Sequence, residues 1–304
     1  MTRAMRTTDW RGVFPAITTP FRDDLSVDHE FLCEHAAWMV AQGANGIVPL
    51  GSLGEAPALS FDEKVRILET CRTALRAGTP LIAGISASST AEAVALAKEA
   101  HRAGCDGLMV LPPYVYQGDW RETKAHVTAV IRATPLSCML YNNPIAYGTD
   151  FLPEQIRDLA QHENLHAVKE SSGDVRRMTA IRQLLGERLT ILVGLDDLVV
   201  EGVAAGADGW IAGLVNALPV QTMRLWEHAT AGRWREARAL YDWFLPLLRL
   251  DTTPKFVQLI KLVQREVGKG SARVRPPRLE LEGDELESTL SRIRASLSSP
   301  EARV

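Results

Sequence analysis

Lys169 is the residue on which chemistry could rest. The sequence has seven lysines against 27 arginines, and this one ends the apolar run Leu165-His166-Ala167-Val168 and precedes Glu170-Ser171-Ser172-Gly173. An ammonium surrounded by apolar side chains is driven toward its neutral form, because desolvation disfavours the charge. A neutral amine attacks a carbonyl to give an imine, and the protonated imine draws electrons from the neighbouring carbon so that a bond there can break. From position alone, a lysine paired with Glu170 or capping the end of the fold explains the residue equally well. The other six, Lys64, Lys98, Lys124, Lys255, Lys261 and Lys269, fall in segments that read as helix or tail, where a solvated face is expected.

Two further groups could serve such an amine. Tyr141-Asn142-Asn143-Pro144 closes the preceding apolar run, where a phenol would reach the region of Lys169 and shuttle a proton between imine and substrate. Taken alone, an aromatic wedge with its hydroxyl bonded to backbone is the simpler account of that tyrosine. Gly51-Ser52-Leu53-Gly54-Glu55 offers small residues, a hydroxyl and free backbone N–H groups, donors that suit a carboxylate. A plain glycine turn between strand and helix accounts for it as well. Metal chemistry finds no footing, since the seven histidines and the four cysteines (Cys33, Cys71, Cys105, Cys138) show no HExxH, CxxC or mixed ligand spacing. The cysteines read as buried free thiols.

A single rhythm must position these groups. Apolar or β-branched runs recur at 12–18, 45–50, 80–85, 106–111, 136–141, 165–170, 189–195 and 207–213, giving eight strand candidates. Amphipathic helical segments lie between them, at 28–42, 61–77, 90–103 and 174–185, with a capping box at Ser60 and stop signals at Gly43, Gly78, Gly104 and Gly186. Alternating buried strand and helix implies a parallel sheet covered by helices, and eight units fit closure into a TIM (β/α)8 barrel. An open doubly wound sheet is the rival, but it would usually show GxGxxG after its first strand, where this chain has TTPFRDD. After Pro219 the strand signal stops. Helices near 219–231, 234–249, 254–267 and 283–297, joined by an extended crossing at 275–283, are expected to pack on the barrel. The expected division is a barrel over 1–218 and a C-terminal helical extension over 219–304, with no flexible linker between them.

Composition narrows the function classes. Among 304 residues, 46% are hydrophobic and 23% charged, ordinary globular values. A formal charge of −3 with no basic cluster argues against nucleic-acid binding. No apolar run approaches a membrane span, and the stretch MTRAMRTTDWRG has no apolar segment behind it, so a cytoplasmic chain is expected.

Together the repeat with its helical tail, GSLGE (51–55), PPY (112–114), YNNP (141–144) and VKES (168–171) resemble the dihydrodipicolinate synthase and N-acetylneuraminate lyase family. The resemblance runs from about Gly12 to about Gly283, in family order. It implies a TIM barrel in which Lys169 forms an imine with a 2-oxo acid, needing neither metal nor organic cofactor. By the same resemblance Tyr141 is the proton-transferring tyrosine, and Gly51, Ser52 and the backbone of Leu53 hold the substrate carboxylate. Asn216 and Pro219 match the motif after the eighth strand, and Gly213 leaves space at that mouth. A small-molecule substrate and a homo-oligomer, dimer or tetramer, follow by analogy.

The departures from the synthase pattern also carry information. An arginine two residues beyond the family proline grips the incoming aldehyde's carboxylate in synthases, whereas Ile145 and Ala146 follow Pro144 here. Leu53 replaces a relay threonine, and Val115 stands where synthases carry a tyrosine supplied across the dimer. Tyr116 or Tyr147 would have to reach that space instead. The apolar GSLG turn, YNNPIAYG and VGLDD look most like the subgroup that deaminates and dehydrates 1-pyrroline-4-hydroxy-2-carboxylate in hydroxyproline breakdown. An aldolase or dehydratase of 2-keto-3-deoxy sugar acids, dihydrodipicolinate synthase itself, and a non-catalytic ligand sensor on the same fold are the alternatives. The paired acids Asp196 and Asp197 are expected to cap the following helix rather than face the mouth.

Overall fold

The computed structural model describes residues 5–299 and 301. Seven strands run parallel in one sheet, in the order β1-β7-β6-β5-β4-β3-β2. They are β1 (Gly12–Pro15), β2 (Ile82–Ile85), β3 (Gly107–Val110), β4 (Ser137–Asn142), β5 (Leu165–Glu170), β6 (Thr190–Val193) and β7 (Gly209–Ala212). The eighth run, 45–50, lies between the two edges β1 and β2 but makes only isolated bridges, Ala16 to Val48 and Ile47 to Leu81. Its backbone is nevertheless bonded on both sides: Val48 N donates to Pro15 O at 2.8 Å and Gly84 N donates to Pro49 O at 2.9 Å. A regular ladder fails for local reasons. Pro49 has no N–H to give, and Leu50 turns into the left-handed region at φ 63°. The ring closes through this irregular segment, and the fold is a TIM barrel.

Alternate strand residues face opposite sides, so each ring position sends side chains inward. Phe14, Val48, Ile82, Met109, Met139, Ala167, Leu192 and Ile211 form one buried cluster, a packed interior rather than a pore. Trp10, fully buried at the strand starts, plugs the N-terminal end and donates its indole N–H to Ser137 Oγ at 2.8 Å. The chemistry is thereby confined to the opposite end.

The outer helices are α1 (His29–Ala41), α2 (Phe61–Ala74), α3 (Thr90–Arg102), α4 (Trp120–Ile131), the single turn α5 (Pro144–Tyr147), α6 (Pro153–Leu159), α7 (Arg176–Leu185) and α8 (Val199–Ala204). Ser60 and Glu63 make the expected reciprocal cap at the start of α2. The tail forms α9 (Pro219–Thr230), α10 (Trp234–Leu248), α11 (Phe256–Glu266) and α12 (Gly283–Leu297). Its apolar side chains join those of the barrel's outer layer in one continuous core.

Two of the lysines expected on solvated faces are buried instead. Val257 through Gln264 of α11 are all buried, so Lys261 in their midst has no route to water. Its ammonium lies 2.5 Å from Glu55 Oε1 and 2.7 Å from Arg273 O, with both partners of the ion pair at most 2% exposed. Lys64 is 5% exposed and pairs with Glu92 at 3.4 Å. The pairing of Lys261 with Glu55 ties the 51–55 turn to the tail. Lys261→Ala takes from the buried Glu55 carboxylate its nearest cation, and chemical denaturation is expected to show a loss of about 3 kcal/mol, the low end for a broken buried pair because Arg275 N still donates to Glu55 and Arg278 lies 3.9 Å away.

Candidate active site

Residues Tyr141 of β4 and Lys169 of β5 are register partners at the C-terminal ends of adjacent strands. Both continue the inward series, two residues beyond Met139 and Ala167, and both line a cavity of about 650 Å³ at the barrel mouth. The Lys169 ammonium sits 3.9 Å from the centroid of the Tyr141 ring, and no carboxylate lies within ion-pair distance of it among the described residues. Glu170 faces the other way. It is buried, accepts from Asn142 Nδ2 at 3.0 Å and Ser172 N at 2.6 Å, and has its pKa pushed up by burial. The Tyr141 hydroxyl accepts from Asn143 Nδ2 at 3.0 Å, which leaves its own proton free to be given.

Across the mouth, Gly51, Ser52 and Leu53 line the same cavity. The α5 turn, capped by Asn143 and ended by left-handed Gly148, folds Tyr147 back over the site. The Tyr147 ring packs edge-on to Tyr141 at 5.7 Å and to Tyr114 at 5.9 Å, and its hydroxyl is hydrogen-bonded to Ser52 Oγ. Burial, reinforced by the neighbouring Tyr141, holds the Tyr147 phenol well above its ordinary value, so it remains a hydroxyl.

The third wall is acidic. Gly194 and Gly213 occupy the inward positions after β6 and β7, and each leaves room that a side chain would take. A Cβ on Gly194 would lie 2.6 Å from Lys169 Cε, and one on Gly213 would collide with Asp251 Oδ1. Asp196 is fully buried and accepts from Trp210 Nε1 at 2.9 Å, Gly213 N at 3.1 Å and Leu214 N at 2.7 Å. The expected helix cap is therefore corrected. The Asp196 side chain makes no bond to its own helix and serves the backbone after β7, because the buried N–H groups of Gly213 and Leu214 need an acceptor at the barrel top. Burial raises its pKa to about 6. Asp251, from the turn Arg249–Thr252, opens into the cavity with no hydrogen-bond partner for its carboxyl among the described residues. Burial, and then the charge of Asp196, push its pKa well up, opposed by the Lys169 ammonium.

Lys169, Tyr141, Gly51, Ser52, Leu53, Gly213 and Tyr147 thus share one cavity. Tyr116 does not join them: its side chain is 56% exposed and its hydroxyl donates to Glu122 Oε1 at 3.1 Å, because the loop turns outward at Val115, whose φ is 71°. Asn216 is buried behind the wall. It donates to Ala16 O and Gly213 O at 2.8 Å and accepts from Thr18 N, so it braces the backbone instead of facing substrate. Asp197, expected as a second helix cap, lines the cavity instead, as do Asp251 and Arg278, which the sequence analysis did not single out. The 275–283 crossing brings Arg278 to the cavity lining, 3.9 Å from Glu55 of the 51–55 turn. All four cysteines are free, and among the described residues no cluster of three His, Cys, Asp or Glu is placed to hold a metal.

A closed barrel opening on a lysine, a tyrosine and a glycine turn is the architecture of a class I, Schiff-base-forming lyase, and the chain is an enzyme of that kind. The model of the dihydrodipicolinate synthetase family matches residues 9–296, and the chain belongs to that family. It is similar to the 4-hydroxy-tetrahydrodipicolinate synthase of Syntrophus aciditrophicus, 33% identical over 88% of this chain and 92% of that protein. The enzyme of the same name from Agrobacterium fabrum is 34% identical over the same shares. Among solved structures, a dihydrodipicolinate synthase from Bacillus anthracis superposes with a TM-score of 0.90 at 25% identity, covering 99% of this chain and all of that one. The 4-hydroxy-tetrahydrodipicolinate synthase of Methylacidiphilum fumariolicum gives 0.88 at 28% identity, covering 95% and 97% of the two chains.

Proposed function

We propose that Lys169 forms the imine with a small 2-oxo acid or cyclic imine acid, Tyr141 carries protons to and from it, and the substrate is 1-pyrroline-4-hydroxy-2-carboxylate, deaminated to 2,5-dioxopentanoate. The observation that carries the reading is an ammonium inside the cavity with no ion-pair partner among the described residues, against the Tyr141 ring and across from the Ser52 turn. In this chemistry the imine at C2 acidifies C3, the 4-hydroxyl leaves, and water then releases the ring nitrogen. The Ser52 and Tyr147 hydroxyls, the turn backbone and Arg278 suit the single carboxylate of such a substrate.

The named synthase relatives suggest instead a condensation of two oxo compounds. Against that reading stand Leu53 in place of a relay hydroxyl, an 80% exposed Val115 where a tyrosine would cross to a partner, and Ile145 and Ala146 after Pro144. A distal carboxylate would also meet Asp197 and Asp251 on the third wall. Side-by-side assay of 1-pyrroline-4-hydroxy-2-carboxylate, 2-keto-3-deoxygluconate, and pyruvate with aspartate semialdehyde tests the choice. The expected result is a kcat/KM for the pyrroline at least about 100-fold above the others, the scale set by polar groups left unpaired with a wrong substrate. Faster condensation of pyruvate with the semialdehyde overturns the substrate assignment while leaving the imine in place. A cytoplasmic homo-oligomer accompanies this reading, with the exposed apolar Val115 and Ile145 near the mouth as contact residues and sedimentation velocity as the check. We also treat 1–218 and 219–304 as barrel and extension of one folding unit.

A further inference from the structure

Imine formation and proton transfer at C3 leave the carboxyl groups of the third wall without a task. Among the described residues nothing is bonded to the Asp251 carboxyl, which reaches the cavity, whereas Asp197 beside it is hydrogen-bonded to Thr252. Asp251 comes from the turn between α10 and α11, and Gly213 exists as glycine where its carboxyl would otherwise be displaced. The charged groups facing it are Lys169 from β5 and Asp196 and Asp197 from the turn after β6. Asp196 accepts from three N–H donors, which favour its charged form, whereas Asp251 has no donor among the described residues, so of the two carboxyls Asp251 is the one that burial and its acidic neighbour hold in the acid form.

Placement around the ring adds direction. The 51–55 turn follows the irregular segment between β1 and β2, opposite β5 and Lys169. The rings of Tyr141, Tyr147 and Tyr114 fill one side between those poles. A substrate held by its carboxylate at the turn and by C2 at Lys169 has its remaining carbons directed to the free side, where Asp251 stands.

We infer that Asp251 is a catalytic acid that receives the hydroxyl on the second carbon from the imine carbon and protonates it as it departs as water. The inference rests on the proposed imine at Lys169. The step balances: the C3 proton leaves to solvent by way of the Tyr141 hydroxyl and an enamine remains, its electron pair moves to form the C3–C4 double bond as the C4–O bond breaks, and the Asp251 O–H proton goes to the leaving oxygen. No oxidant or reductant is required, and the aspartate is reprotonated by solvent.

The test compares wild type with Asp251→Asn and Asp251→Glu in three measurements. Borohydride trapping of pyruvate reads imine formation, deuterium exchange into the pyruvate methyl group reads proton removal at C3, and water loss is followed from 1-pyrroline-4-hydroxy-2-carboxylate and from 2-keto-3-deoxygluconate. For Asp251→Asn we expect trapping and exchange close to wild type, kcat for water loss down about 100- to 1,000-fold with little change in KM, and partial recovery in Asp251→Glu. Wild-type kcat should fall on the alkaline side as the acid loses its proton, and that limb should vanish in Asp251→Asn. Water loss within about threefold of wild type in Asp251→Asn, against the 100-fold or more that acid catalysis is worth, overturns the inference, as does parallel loss of trapping and exchange. Failure of wild type to dehydrate either compound overturns it too, while a wild-type pyruvate adduct would show the imine reading still standing.

Discussion

Lys169→Met is expected to abolish borohydride-trapped adducts with pyruvate and to lower turnover by at least about four orders of magnitude, since the covalent route to the electron sink disappears with the amine. The substitution suits the site physically. Methionine keeps the unbranched stem that fits between Tyr141 and Gly194, and it removes a charge that is 6% exposed and has no counter-ion within bonding range among the described residues. Melting temperature should therefore hold or rise, separating lost chemistry from lost fold. The check is intact-protein mass after reduction, followed by peptide mapping of wild type. An adduct on any lysine other than Lys169 removes the mechanistic assignment.

Tyr141→Phe carries the second largest expectation, a fall in kcat of about 100- to 10,000-fold, the usual worth of one positioned proton donor. Ring packing against Tyr147 and the Lys169 ammonium survives in phenylalanine, and only the hydroxyl that Asn143 orients is lost. Imine trapping should persist, more slowly, because proton delivery assists carbinolamine dehydration without being its only source. Full turnover in the variant would assign the proton to another group, with Tyr147 the nearest candidate.

What could be read from the chain follows strand logic. Lys169 and Tyr141 end apolar runs, and a period of two fixes the inward face of such a run without any knowledge of the rest of the molecule. The tail was legible as helices for the analogous reason: α9 to α12 begin and end within two residues of the expected spans. Their destinations were not, because a helical pattern tells which face is buried but not what it is buried against. Lys261 is the clearest instance, an ammonium whose partner Glu55 lies 206 positions earlier. Asp251 escaped notice because a short polar turn between helices looks like surface until the fold lays it over Gly213. Asp196 was misread since an acid at the start of a helix ordinarily serves its own N–H groups, and only the three-dimensional barrel top presents unsatisfied donors from another segment. The 45–50 run closes the ring as expected, and the proline and left-handed leucine that spoil its ladder were visible in sequence only as composition.

The buried Glu55 to Lys261 contact has an evolutionary corollary. Lys169 and Tyr141 belong to the strands, whereas Asp251 and Arg278 arrive from beyond Pro219, so recombination between relatives at that junction would exchange part of the cavity wall while the strand residues stayed behind. Such chimeras are constrained by one matching requirement: an incoming tail must bring a cation to the acid at 55, or the hybrid inherits a stranded charge beneath the loop at the cavity's edge.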